Sequence, residues 1–139
     1  MDRNTALNVV KAVILGAGYT NTIIASKVSD GRLRSDRKPV FYIMPNDGTH
    51  LPEHSSLEDY SIDIVVGVER HNDPYGEASL IECNRYLKEL VLLFELLGED
   101  NNIPLVAYVT NTVSPKQFAD DVYIHIGIVR VAVSSYEGD

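Results

Sequence analysis

The chain has 139 residues, a length that suits one domain around one core. Its residues are 45% apolar and 23% charged, ordinary for a globular fold and unlike a disordered segment. The net charge of −8 argues against high-affinity DNA binding, which needs a basic face, and the lone cysteine, Cys83, excludes an intramolecular disulfide framework.

At the start, Met1-Asp2-Arg3-Asn4 lacks the basic-then-apolar order of a signal peptide, and no apolar run reaches spanning length. The expected place of synthesis is the cytoplasm, a reducing compartment that suits a lone cysteine. Asn4 or Thr5 is expected to cap a first helix carrying Leu7, Val10 and Ile14 at helical spacing, with Gly16 and Gly18 ending it; the competing reading is a short strand, Val9 to Leu15. Thr20 to Val28 is β-branched, a strand or a loop of strand character, and Ser29-Asp30-Gly31 is a turn. After a polar, basic connection, Val40 to Met44 reads as a strand, stopped by Pro45-Asn46-Asp47-Gly48.

Tyr60, Ile62, Ile64, Val66 and Val68 alternate with Ser61, Asp63, Val65, Gly67 and Glu69, the period-two signature of a strand. Asn72-Asp73-Pro74 ends it and opens a helix from about Tyr75 to Leu97, with Leu80, Leu87, Leu90, Val91, Phe94 and Leu97 on one stripe. Gly98 is expected to stop this helix, and Glu99 to Asn102 to form a polar turn. Pro104 to Val113 reads as a strand and Ser114 to Asp120 as a loop. Val122 to about Ser134 reads as a long last strand with both faces at least partly covered. The last two strands pair as a hairpin, since their connection is too short for a crossover helix. The expected fold is α+β: a single domain over residues 1–139, with a mixed, largely antiparallel sheet of four to five strands packed against two helices.

Three segments resemble chemical motifs. Lys11 to Asn21 contains Gly16-Ala17-Gly18, the opening of a dinucleotide turn, but Asn21 stands where the third glycine belongs. Helix termination is the simpler use of these glycines. His50-Leu51-Pro52-Glu53-His54 matches an inverted zinc-protease string, yet Pro52 would break the helix that must present both histidines. Glu69, Asp73 and Glu77 could form an acid–base or metal set. Asp73 is better used as a helix cap, and acidic residues in a first turn suit the helix dipole. His71 and His125 read as isolated, the serines lie in no G-x-S-x-G elbow, and Asp120-Asp121 reads as a turn into the last strand. Cys83 reads as a small buried hydrophobe. No catalytic residue, metal ligand or cofactor is expected. The one candidate binding feature is the basic loop of Arg32, Arg34, Arg37 and Lys38, either a solvated loop or a contact for an acidic partner surface or phosphate.

The organisation resembles the tail terminator (minor tail protein U-like) family of tailed bacteriophages over nearly the whole chain. The likeness lies in an N-terminal helix, the Asp30-Gly31-Arg32 turn, the Pro39 to Ile43 strand, and the alternating Ile62 to Arg70 strand. It continues in the Asp73 to Glu77 entry into a long amphipathic helix and a last strand finishing near Tyr136. The family has no invariant catalytic string, so the resemblance implies only fold and role. The role implied is a structural virion protein, made in the host cytoplasm. It forms a homo-oligomeric ring, usually of six subunits, that caps the finished tail tube and docks the head connector or neck proteins. Genomic DNA would only pass through the lumen, where a net negative charge avoids trapping it. No membrane is implied. The competing classes are a small nucleotide-binding (Rossmann-like) domain using the Gly16–Gly18 turn and, third, a metal hydrolase using His50 and His54.

Overall fold

Helix α1 (Arg3–Gly16) forms where apolar residues recur every three or four positions, and Ala6, Leu7, Val10 and Ile14 are all buried. It begins at Arg3, so Asn4 and Thr5 lie in its first turn instead of capping it; helix ends commonly shift by a residue or two. Gly18, at φ +101, ends it. The Gly18 N–H donates to the Leu15 carbonyl at 3.0 Å and the Tyr19 N–H to the Ile14 carbonyl at 3.3 Å, a Schellman closure that needs a residue at ease in the left-handed region. The computed structural model that shows this describes residues 3–25, 39–45, 60–102, 105–110 and 114–133.

Among the described residues, six strands follow in one mixed sheet: β1 (Thr22–Ile24), β2 (Val40–Pro45), β3 (Tyr60–Arg70), β4 (Leu105–Val109), β5 (Ser114–Ala119) and β6 (Val122–Val133). Their order is β1-β2-β3-β6-β4, with β5 also on β6. Among the described strand pairs, only β1 and β2 run parallel; every other pair is antiparallel. The α+β architecture is the expected one, but the sheet has six strands where four to five were expected. The fifth strand is β1, from the segment expected as strand or loop; the sixth, beyond the expectation, is β5, from a segment expected as loop. β5 carries Pro115, Lys116 and Gln117 exposed, so no apolar alternation marks it. What makes it a strand is pairing: it takes the first half of β6's outer edge while β4 takes the second half.

The period-two pattern of β3 sorts the sheet into two faces. Ile62, Ile64, Val66 and Val68 join Phe41, Ile43, Val129 and Val131 in the main core beneath α1 and the helix that follows β3. The opposite face buries Val40 and Tyr42 with Val65 and Ile126 packed against them. On that face Asp63 and Arg130 stand cross-strand and form a two-pronged ion pair at 2.8 and 3.3 Å.

The second described helix, α2 (Glu77–Asn101), lies over β3, β6 and β4. Its buried stripe is Ser79, Cys83, Leu87, Leu90, Phe94 and Gly98. Gly98, expected as the stop, instead belongs to the packing stripe; the helix runs on to Asn101 and ends at Asn102, whose φ is 55. Leu80, expected on the stripe, is exposed at its flank. Gly127 of β6 sets how closely the helix approaches: a Cβ there would stand 2.5 Å from Leu87 Cδ1. Tyr19, Phe41 and Tyr86 form an aromatic cluster joining the end of α1, the sheet and α2, with ring centroids 4.8 to 5.7 Å apart. No helix among the described residues is long and apolar enough to cross a membrane.

Candidate functional site

The densest buried polar group lies where the chain leaves β3 and enters α2. Asp73, in the connection, accepts hydrogen bonds from the Ala78 and Ser79 N–H groups, both at 3.0 Å, and from the Ser79 hydroxyl at 2.8 Å. These are second- and third-position amides of the helix, so Asp73 caps α2 as expected, but from three residues ahead of Gly76, which stands at the N-cap itself. The Ser79 hydroxyl also lies 2.7 Å from Nδ1 of His125, on β6. The hydroxyl has one proton, and it goes to the carboxylate; Nδ1–H therefore donates to Ser79 Oγ. The Asp73 N–H donates to the carbonyl of Asp121 at 2.9 Å, which ties the same connection to the β5–β6 turn.

Asp73, Ser79 and His125 are all buried. Burial pushes the Asp73 carboxyl up, but the three hydrogen bonds from Ser79 and Ala78 outweigh it and hold the group below the usual carboxylate range. Burial lowers His125 below an ordinary histidine, against the pull of the Asp73 charge. The order is carboxylate, hydroxyl, imidazole. A serine nucleophile needs the imidazole in the middle, taking the hydroxyl proton, and a hydroxyl open to substrate. Here the carboxylate takes that proton and Ser79 has no exposed surface. The arrangement does the work of a lock: it satisfies the helix start and pins it to β6.

The other expected site residues lie apart. Glu69 is buried and pairs with His71 Nε2 at 2.6 Å, so His71 is not isolated. Glu77 is exposed in the first turn of α2. Among the described residues, no three His, Cys, Asp or Glu side chains are grouped so as to hold a metal. An open cleft of about 440 Å³ borders the lock, with Tyr75 and Ile81 exposed on its wall. Cys83 is buried as expected, and burial, with the nearby Glu82 charge, pushes its thiol up to about 12. The Gly16–Gly18 turn leaves a helix and enters β1, the reverse of the strand–turn–helix order in which such a turn cradles a pyrophosphate. Arg32, Arg34, Arg37 and Lys38, and the pair His50 and His54, lie outside the described residues.

His125 was read from the sequence as isolated; it is instead the far anchor of the lock. The available signal was its place among inward-facing residues of the last strand, where a polar side chain needs a buried partner. Ser79 carried no such signal, because its partner lies 46 residues away along the chain.

Among the described residues, apolar groups are exposed on several outer surfaces, two of them prominent. One is β4, last in the strand order, where Val106, Tyr108 and Val109 are 55%, 44% and 44% exposed. The other is the outward side of α2, with Ile81, Leu92 and Leu96 at 60%, 48% and 55%. No protein-family model matches the chain, and neither does any curated protein.

Proposed function

We propose that this protein is a structural subunit of a tailed bacteriophage. In this reading it assembles with copies of itself into a ring that caps the tail tube and receives the head connector. The observation that carries the self-assembly part is β4, which ends the sheet with exposed apolar side chains on both of its faces. An apolar edge of this kind invites pairing with another chain unless something covers it. The opposite edge is β1, only three residues long and parallel to its neighbour, so the two edges are unlike. Unlike surfaces meeting head to tail make rings when the rotation per subunit closes. The phage-tail part rests on the resemblance of the strand, turn and helix pattern described above.

The test is the native mass and negative-stain image of the full chain across a concentration series, alone and with tail tube protein. Rings in solution, or caps on tube ends, are the expected result. A monomer at every concentration that also fails to bind tubes overturns the reading.

A further inference from the structure

Helix α2 has an apolar outer face whose C-terminal half its own charges disfavour. Ile81, Leu92 and Leu96 fall within about 60° around the helix axis, on the side away from Leu87, Leu90 and Phe94. After Lys88 the helix contains no cation, while Glu89, Glu95, Glu99 and Asp100 follow. Glu89 is paired with Arg85 at 3.0 Å. Glu95, Glu99 and Asp100 are exposed and stand toward the negative end of the helix dipole, where anions are unfavourable and cations favourable. An apolar strip edged by three anions at that end fits a cationic partner with apolar residues among its charges.

The chain contains such a segment. Arg32, Leu33, Arg34, Arg37 and Lys38 bring four of the twelve lysines and arginines into seven residues. Its anchoring strands, β1 before and β2 after, lie at the edge of the sheet opposite β4, and α2 packs over β4. We infer that the outer face of α2 around Leu92 and Leu96 docks a second copy of this chain through that copy's Arg32–Lys38 segment. The contact is head to tail; it rests on the self-assembly reading above and names the surfaces that carry it.

Charge reversal tests it. Glu95→Lys, Glu99→Lys and Asp100→Lys together form one variant, and Arg32→Glu, Arg34→Glu, Arg37→Glu and Lys38→Glu another. A third chain carries both sets. Sedimentation velocity over a concentration series, at low and high salt, reads the assembly midpoint, and urea melting checks folding. Either single set should raise the midpoint by roughly tenfold or more, the scale of effect that lost charge pairing carries at an interface. The chain with both sets should regain assembly, since the charges are again complementary, and added salt should weaken the wild type. Wild-type assembly unchanged by either set, or not regained in the double set, overturns the inference and leaves the ring reading standing. Unchanged assembly with lowered stability assigns the acidic face to the chain's own basic segment, and also overturns it. A wild type that neither assembles nor binds tubes removes the self-assembly reading itself.

Discussion

The two ends of α2 solve the same problem differently. Every helix leaves unpaired N–H groups at its start and unpaired carbonyls at its end, with a partial positive and negative charge respectively. At the start, the molecule answers both needs itself: Asp73 accepts from two amides, and its charge sits at the positive end. At the other end, Asn102 in a left-handed conformation turns its N–H back to the carbonyls of Glu99 and Gly98. The hydrogen bonds there are closed, but the charge is of the wrong sign. One end is settled within the fold and the other is left open, which places fold stability at the first and the capacity for contact at the second.

The largest expected effect lies at the settled end. Asp73→Ala removes the cap and takes from the Ala78 and Ser79 N–H groups the carboxylate that accepts from both, in one step. A lost cap and unsatisfied buried donors together should cost about 2–4 kcal/mol. Urea unfolding followed by circular dichroism reads this directly. A loss under about 0.5 kcal/mol, the range of an ordinary surface change, would show that the lock contributes nothing.

A smaller effect at the same end depends on pH. The folded pKa of His125 lies below its ordinary value of 6.5, so the unfolded chain takes up a proton first as pH falls. The unfolded state then binds more protons, and stability drops. The His125 contribution is complete above about pH 6.5 and is lost as the pH falls below it. The Asp73 contribution has the same sign in a lower window: its pKa is lowered from 3.8, so it is present above that value and lost below. Two acid limbs should appear in a plot of unfolding free energy against pH. His125→Asn keeps a donor for Ser79 without the titration, and should remove the upper limb only. An upper limb that survives this change would assign the titration to another group.

The difference between the two ends also decided what could be read from the sequence. The strand of Tyr60 to Arg70 was legible because large apolar residues at every second position have one simple structural meaning. The start of α2 was legible because Asp73-Pro74 is a local signal. Its end was not: Gly98 looks like a stop, yet it falls on the buried stripe four residues after Phe94, and packing outranks the local preference. β5 was hidden for the opposite reason. Nothing in Pro115, Lys116 and Gln117 asks for burial, and only the neighbouring edge of β6 makes them a strand. The Ser79–His125 contact is non-local, so the sequence offered a polar residue on an inward face but no partner for it.

The smallest expected effect compares the two ends by one exchange at each. Glu77 lies in the first turn of α2 and Glu99 in its last, and both are exposed. Replacing either by lysine changes the charge by the same amount in the same direction. If the helix dipole and neighbouring charges govern these positions, the signs must differ: Glu77→Lys should destabilise the isolated chain by about 0.3–1 kcal/mol, and Glu99→Lys should stabilise it by a similar amount. Measurement at low protein concentration keeps association out of the comparison, and low salt keeps the effects unscreened. At higher concentration the second variant should reverse its rank, folding more firmly but assembling less well than the wild type. Equal signs for the two exchanges at low concentration would mean that overall net charge, not position on the helix, sets the response, and the acidic end of α2 would then need no partner to account for it.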